Sequence, residues 1–530
     1  MAKGYRPVDR DQSFLLPPDM RQWLPEGHPV WLVIEAVGLL DTAVFHERRR
    51  TGGAGAAGYD PDMLVTVLVW AYANGVTSSR RIERLCGQDV AFRVICAGNL
   101  PDHVTIARFR QQFADTAAGL FGQVLVLCAR LGMGRVGTVA VDGTKIAASA
   151  SKDANRTEEG LRKLAREMAA RHAATDAEED ALFGAGRRGD DDDPGGPHTR
   201  RERVAAALAS LEAERAAREA EQAADRARAA EAVRAAQDGS PAAGKPPAGA
   251  EVTLAEQALA RAAAEHQARA AAWHAAAAAG RRPRGKAPAA TGDYSRVRAA
   301  RARLERAQAR QAARAQAAAQ PARRNVTDPD SRLMPVRGGG FIQGYNAQNV
   351  ASGDGLIIAT RLTHDTADTR WYEPMISDAA AAAAVMAAAA GAPAAEIGLV
   401  LADAGYLSAA NLSCDGPDRL IATGKHRDLE KRARDVAGDG SDSGPGPGGA
   451  IAAMTARLAT PEGIAAYRQR GPIAETPHGR IKHTMRLRQL SLRGQRKAAG
   501  EWTFACAVHN LMMAITSGHL TTWALASLPG

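Results

Sequence analysis

The feature that most limits how this chain can fold is a long stretch, residues 153–325, that contains few large apolar side chains. It consists of Ala, Arg and Glu tracts such as residues 204–215, broken by Gly/Pro segments near residues 239–249 and 280–293. These residues favour helices but leave little surface to bury in a core. We therefore predict an insertion of two to four long, partly solvated helices, with disordered joints around residues 189–196. The sustained apolar heptads of a coiled-coil dimer interface are missing.

Short apolar runs typical of buried strands lie on both sides of this insertion. The predicted strands are residues 135–146, 345–351, 355–363, 397–403 and 418–423. The second and third are expected to pair across a short Ser-Gly-Asp-Gly turn, and an alanine-rich helix is expected from about Trp371 to Ala390. The pattern predicts an α/β domain made of residues 131–152 and 326–530, in which the first strand pairs with Tyr345 and its neighbours.

The first 130 residues predict a helical domain. Residues 61–75 open with proline, close with glycine and are apolar between, which is typical of a buried helix. Residues 78–84 and 101–112 each place polar residues before a basic amphipathic run. Packing of the helix-turn-helix kind is plausible for these two segments.

The composition limits the possible binding partners of the protein and its cellular location. A net charge of +10 favours binding to a partner that is rich in phosphate groups, and DNA or RNA is the first candidate. No run approaches the roughly 20 apolar residues that span a bilayer, and the N-terminus is polar rather than signal-like, so we expect a cytoplasmic protein without a membrane partner. The five cysteines form no C-x-x-C pair, which argues against a disulfide framework or a clustered zinc site.

Two predicted strands end in an aspartate that is followed by small residues, Asp142 and Asp403. Carboxylates at a sheet edge are hard oxygen ligands, and Mg²⁺ needs only a few of them together with a substrate phosphate. A pair of such ions suits phosphodiester chemistry. The alternative for each aspartate alone is that it caps a helix or turns the chain.

A third candidate acid, Glu475, stands alone among cations. It is the sole carboxylate among the basic side chains Arg468, Arg470, Arg480, Lys482, Arg486, Arg488, Arg493, Arg496 and Lys497. Two alternatives stay open: Glu475 simply pairs with neighbouring arginines, or its helix begins at Pro477 with Thr476 as N-cap and leaves it outside. Glu501 is the substitute acid, although its position also suits a helix cap.

Other polar residues near these segments receive simpler interpretations. Asp365 and Asp368 precede a helix and are predicted to be caps. His364, His426 and His478 show no paired-histidine spacing that would indicate zinc, and no Walker loop is present.

Several segments together resemble the signatures of DDE insertion-sequence transposases, in order along nearly the whole chain outside the insertion. They are Pro101-Asp-His-x-Thr-Ile-x-x-Phe-Arg110, Val141-Asp-Gly-Thr-Lys145, Gly339-Gly-Phe-Ile-Gln-Gly-Tyr-Asn-Ala-Gln348, the segment from Glu475 to Lys482, Leu492-Arg-Gly494, Glu501-Trp502 and His509-Asn-Leu511. Singly they are unspecific, and together they point to this family.

The resemblance implies an RNase H-like mixed sheet flanked by helices, with Asp142, Asp403 and Glu475 holding two Mg²⁺ ions, or Mn²⁺. It also implies that the N-terminal helical domain, residues 1–130, binds DNA at the transposon ends. It also implies that Tyr467 orients the DNA strand while Arg470 and Lys482 contact phosphates. Seven residues separate Glu475 from Lys482, so on a regular helix both would share one face without pairing.

The activity expected from the resemblance is metal-dependent strand cleavage and strand transfer at terminal inverted repeats and target DNA, by a homodimer. The alternatives are a metal nuclease without strand transfer and a decayed transposase that only binds DNA.

Overall fold

The computed structural model describes residues 19–47, 58–183, 200–238, 246–280, 286–336, 338–393, 396–424 and 449–527. The chain divides into two compact units, which are Met1–Asp153 with Asp330–Gly530, and Ala154–Pro329.

Within the described residues the elements are as follows. The α-helices are α1 Pro29–Gly38, α2 Ala43–His46, α3 Pro61–Ala73, α4 Ser79–Gln88, α5 Val90–Ile95, α6 His103–Gln111, α7 Phe113–Arg130, α8 Glu158–Phe183, α9 Arg200–Gln237, α10 Glu251–Ala278, α11 Ser295–Ala319, α12 Tyr372–Ala389, α13 Ala409–Ser413, α14 Ala450–Leu458, α15 Pro461–Arg468, α16 Arg470–Gly479, α17 Gln495–Thr516 and α18 Thr522–Ala526. The strands are β1 Thr138–Ala147, β2 Asn155–Thr157, β3 Arg323–Asn325, β4 Arg332–Pro335, β5 Phe341–Ser352, β6 Ile357–Thr363, β7 Leu399–Ala402 and β8 Asp418–Ile421.

The first unit contains a mixed sheet in the order β4-β5-β1-β7-β8, with β6 also paired to β5. β1 runs antiparallel to β5, with Ile146 opposite Tyr345, and parallel to β7, which is parallel to β8. The antiparallel β5–β6 pair confirms the predicted hairpin. The α/β class and the RNase H-like mixed sheet flanked by helices are likewise confirmed, with β1 at the centre.

β1 and β5 are buried because helices cover the sheet. Val139, Ala140 and Val141 are fully buried, and nearly all of β5 is inaccessible. A strand buried on both faces carries a continuous apolar run rather than an alternating one, which is the pattern that predicted β1.

The helix α17 joins the N-terminal helices to the same core. Phe504 stacks on Phe113 of α7 with ring centroids 4.1 Å apart, and Tyr72 of α3 packs against Phe504 edge-on. Tyr72 also donates a hydrogen bond to the buried Glu501. The N-terminal helices, expected as a separate domain up to residue 130, therefore share one compact unit with the sheet.

The helices α4 and α6 contact each other, as helix-turn-helix packing would require. Ile82 and Ile106 are buried between them and the neighbouring helices. Arg110, the last residue of one family-like segment, is buried and donates to the carbonyl oxygen of Thr77 and to the hydroxyl of Ser79 (3.1 Å). That arginine therefore fixes the start of α4.

The helix α7, Phe113–Arg130, is long and apolar enough to cross a membrane by length and composition alone, and it is the one such helix among the described residues. Just over half of it is buried, and it packs against α17 and α12. This packing is typical of a core helix.

The second unit contains the long helices α8 to α11 and the short antiparallel pair of β2 and β3. Its apolar cluster is small, with Leu161, Val204, Ala207 and Leu211 as the buried members. Four long, partly solvated helices agree with the predicted two to four. The disorder expected around residues 189–196 lies outside the described residues.

Candidate active site

Two aspartates lie at the same edge of the sheet. Asp142 follows Val141 in β1, Asp403 follows Ala402 at the end of β7, and Val141 is opposite Ala402 in the parallel pair. The side chains are 14% and 31% exposed. Asp403 Oδ1 accepts a hydrogen bond from the backbone N–H of Gly405 (2.8 Å), so it also makes the local cap that was the alternative interpretation.

The third acid comes from α16, the helix that begins at Arg470. The Arg470 Nη2 atom lies 3.1 Å from Asp142 Oδ1 and 3.8 Å from Asp403 Oδ2, and its Nη1 atom lies 3.5 Å from Glu475 Oε1. Glu475 is 60% exposed, whereas Arg470 is only 11% exposed. One buried guanidinium thus joins carboxylates that are far apart in the sequence.

The alternative in which the helix begins at Pro477 is wrong, because α16 already includes Glu475. Pro472 falls in its first turn, where backbone N–H groups have no acceptor within the helix and proline is tolerated. Arg470 and Glu475 form an ion pair, which is the pairing with a neighbouring arginine that the sequence left open for this acid.

Lys482 is bound to β1 rather than to Glu475. Its Nζ atom donates to the Thr144 hydroxyl and to the backbone oxygen of Lys145 (2.7 Å), and burial lowers its pKa. The helix changes to a π-helical turn at Arg480–Thr484. A π-turn alters the angular spacing, so the seven-residue separation no longer puts Glu475 and Lys482 on one regular helix face.

Tyr467 contacts the end of β7, the strand that precedes Asp403. Its hydroxyl donates to the backbone oxygen of Ala402 (3.2 Å), the residue before Asp403. Burial raises the pKa of Tyr467 to about 12, so the hydroxyl keeps its proton at neutral pH. Tyr467 therefore fixes the end of β7.

The two aspartates differ in their electrostatic surroundings. Burial, followed by the negative charge of Asp142, raises the pKa of Asp403. Burial also disfavours the charge on Asp142, but the hydrogen bond from His478 and the charges of His478 and Arg470 outweigh it, so the pKa of Asp142 is lowered. Negative charges repel one another at this edge, and a cation is needed to hold them together.

The sequence analysis missed the contact of His478 with the site. Its Nδ1 atom lies 3.5 Å from Asp142 Oδ2, and the side chain is 8% exposed. The histidines had been considered only for zinc, yet His478 follows Glu475 by three residues on one helix, a spacing that places both on neighbouring positions of its surface. His364 instead bonds Gln495, and His426 lies outside the described residues.

The predicted helix caps also need correction. Asp368 makes no capping hydrogen bond, and its carboxylate accepts from Asn346 and Gln348 of β5. Asp365 accepts from the indole of Trp371.

Glu501 is neither a cap nor a member of the acid cluster. It is fully buried within α17 and accepts hydrogen bonds from Tyr72 and from the backbone N–H groups of Ser491 and Leu492.

An open pocket of about 720 Å³ adjoins the cluster, and Asp403, Tyr467, Arg470 and Glu475 are among its lining residues. Glu475, the more exposed acid, therefore lines a space that is open to solvent.

Two family models match the chain, in segments that contribute to the first unit. The transposase domain (DUF772) matches residues 18–112, and the transposase DDE domain matches residues 449–514. The second match contains Arg470, Glu475 and Lys482. Both matched models describe transposase domains, and together they support an insertion-sequence DDE transposase. The comparisons with curated proteins and with solved structures found no match.

Of the three candidate acids, only Glu475 lies within a matched segment. Asp142 and Asp403 lie outside both matched segments, and only the fold places them beside Glu475. Their role therefore depends on geometry and not on the family match.

The DDE family generally uses divalent metals, and carboxylate oxygens are the hard ligands that Mg²⁺ prefers. Asp142, Asp403 and Glu475 each lie beside Arg470, which provides the positive charge between them, but their ligand atoms do not all lie within 4.8 Å of one another.

A different group has the closest ligand atoms among the described residues. His46, Asp60 and Asp62 place theirs within 4.8 Å of one another. These residues have local roles, because Asp60 caps α3 and Asp62 accepts hydrogen bonds from Thr42 and His46.

Proposed function

We propose that this transposase binds the terminal inverted repeats of its insertion sequence and catalyses metal-dependent strand cleavage and strand transfer, with Asp142, Asp403 and Glu475 as metal ligands. The observation that carries the proposal is the meeting of these acids, from β1, β7 and α16, around one buried guanidinium beside an open pocket.

Two Mg²⁺ ions, or Mn²⁺, would activate the attacking hydroxyl and stabilise the leaving oxygen of the phosphodiester. The protein holds the side chains of the proposed metal ligands in position. The β1–β7 pair sets the spacing of Asp142 and Asp403, Tyr467 holds the end of β7, and His478 restrains Asp142.

Arg470 has two roles in this proposal. Without DNA and metal it neutralises the acids, and in the loaded site it moves aside to contact a phosphate. Lys482 supplies a second positive charge near the DNA strand while it anchors β1 through Thr144 and Lys145.

The N-terminal helices offer a surface for the element ends. In α4 the apolar residues Ile82 and Cys86 are buried, whereas Arg80, Arg81 and Arg84 are exposed. Exposed arginines on a helix that packs against α6 suit contacts with DNA phosphates.

We further propose that a homodimer acts on DNA in the cytoplasm. An element has two ends and each chain offers one candidate active site, so a twofold-symmetric dimer is the smallest closed assembly that can hold both.

The test is a cleavage and joining assay. A DNA fragment that carries the gene with both flanks is incubated with a target plasmid in Mg²⁺ or in EDTA. The wild type should cut at the flanks and join them to the plasmid only in Mg²⁺, whereas Asp142→Asn, Asp403→Asn and Glu475→Gln should do neither. Asp378→Asn, which alters an acid paired with Arg361 elsewhere, is the control and should keep full activity.

Other results of this assay would support one of the alternative functions. Cutting without joining would indicate a nuclease, and binding without cutting would indicate a decayed transposase.

A further inference from the structure

We infer that Asp368 is a fourth acidic residue of the metal site, a positioning residue whose free oxygen lies beside Asp403 and orders the hydration shell of the bound ion. The inference rests on the proposed function, because it needs a metal at Asp142 and Asp403.

One oxygen of Asp368 is held in place by β5. Oδ1 accepts hydrogen bonds from Asn346 Nδ2 (2.7 Å) and from Gln348 Nε2 (2.6 Å), and Lys145 Nζ lies 3.6 Å away. Gln348 is itself fixed by the hydroxyl of Tyr406. Two amide groups and a cation thus orient this carboxylate, whose side chain is only 20% exposed.

The other oxygen lies near Asp403. A Cβ atom added to Gly405 would lie 2.9 Å from Asp403 Oδ1 and 3.1 Å from Asp368 Oδ2. Both oxygens therefore border the space that a side chain at this glycine would fill. Among the described residues, no hydrogen bond is made to Asp368 Oδ2.

A second glycine leaves room on the other side. A Cβ on Gly143, the residue after Asp142, would lie 2.6 Å from Asp368 Oδ1 and 2.5 Å from Gln348 Nε2. Neither Gly143 nor Gly405 adopts the left-handed conformation. Glycine is therefore required at these positions because a side chain would not fit there, and not because of the backbone conformation. Gly143 and Gly405, which follow the two proposed metal ligands Asp142 and Asp403, thus leave the space that the Asp368 carboxylate occupies.

The position of the Asp368 carboxylate suggests a role in metal binding rather than in helix capping. An acid whose one oxygen is fixed and whose other oxygen faces a metal ligand can accept a hydrogen bond from water around the ion. Mg²⁺ keeps several of its waters, and mutation of the groups that surround and orient the ligands of a metal typically lowers its affinity by about 10–100-fold.

The experiment measures Mn²⁺ binding to the full chain by electron paramagnetic resonance, without DNA. Asp368→Asn should raise the Kd for Mn²⁺ about tenfold. Asp365→Asn is the matched control, since that acid lies three residues earlier and binds Trp371; its Kd should stay within about twofold of the wild type. Asp142→Asn should abolish binding at the site.

A thermal unfolding curve in EDTA excludes a merely structural role. Asp368→Asn removes a negative charge beside Asp403, so its midpoint should equal or exceed that of the wild type. A lower midpoint with an unchanged Kd would show that the carboxylate only holds β5, and would overturn the inference. Asp368→Ser gives the same two measurements if Asp368→Asn does not fold.

The two hypotheses fail differently. If Asp142→Asn abolishes binding and Asp368→Asn leaves the Kd unchanged, the inference is wrong and the proposed function stands. If Asp142→Asn binds Mn²⁺ as the wild type does, the metal site itself is wrong and the inference falls with it.

Discussion

Arg470 holds the acids of the candidate active site in position. Its guanidinium contacts Asp142, Asp403 and Glu475, and only 11% of its side chain is exposed. Removal of one partner from a buried ionic group leaves the other charges uncompensated. A metal ion bound by the same carboxylates can replace the missing charge.

We therefore predict that Arg470→Ala lowers the free energy of unfolding in EDTA by about 3 kcal/mol, and that saturating Mg²⁺ restores most of the loss. Denaturant unfolding with and without Mg²⁺ measures both effects. Arg468→Ala, a change at an exposed neighbour, should be affected little by either condition. An equal loss in Mg²⁺ and in EDTA would contradict a shared role of Arg470 and metal.

A second prediction concerns Lys482. Lys482→Ala removes two hydrogen bonds to β1 and should lower the free energy of unfolding by about 1–3 kcal/mol, since Thr144 and the Lys145 carbonyl lose a charged donor. It should also reduce the salt dependence of DNA binding by about one counterion. Binding at several salt concentrations checks this, and an unchanged slope would leave Lys482 with a structural role only.

Single residues were predictable from the sequence where the signal is local. Asp142 and Asp403 follow apolar runs, and Glu475 is isolated among cations. The contacts of His478 and Asp368 were not predictable, because they depend on how α16 and β5 pack against the ends of β1 and β7. The pairing of Arg470 with all three acids has the same tertiary origin.

Among the elements, α17 connects several parts of the first unit. It packs against α7, β6 and α3, and the side chain of Asn510 bonds both backbone groups of Ile357 at the start of β6. The family-like residues Glu501 and Asn510 therefore have structural roles here. The hairpin β5–β6 and the helix α12 were predicted from local patterns, whereas the position of α17 depends on contacts distant in sequence.

A close approach of two helices gives a third prediction. A Cβ on Gly500 of α17 would lie 2.3 Å from the backbone oxygen of Phe113, so Gly500→Ala must push α17 and α7 apart and should cost at least about 1–3 kcal/mol. Gly119→Ala in α7 is the matched control, because nothing lies within 4 Å of its Cβ position. Helix propensity should make that variant up to about 1 kcal/mol more stable. Equal effects in urea unfolding would argue against the close approach.

At the scale of the whole molecule, the chain forms two compact units. The change of composition near residues 153 and 325 was visible in the sequence because Ala, Arg and Glu tracts cannot build a large core. The continuity between the N-terminal helices and the sheet was not visible, since it depends on Phe113, Tyr72 and Phe504 meeting in space.

The second unit should be removable. Thr157 pairs with Arg323 across β2 and β3, so a short Asn-Gly turn can replace residues 158–322. We expect the shortened chain to unfold cooperatively and to bind Mn²⁺ with a Kd close to that of the full chain. Loss of cooperative unfolding would show that the helices α8 to α11 are needed for the fold of the first unit.

The most direct test of a metal-dependent active site is to locate Mn²⁺ by anomalous diffraction from crystals of the full chain soaked in Mn²⁺. The acid cluster predicts a peak between the carboxylates of Asp142 and Asp403, with the guanidinium of Arg470 moved away from them. A peak only at His46, Asp60 and Asp62, with Arg470 still bound to all three acids, would contradict the proposed active site.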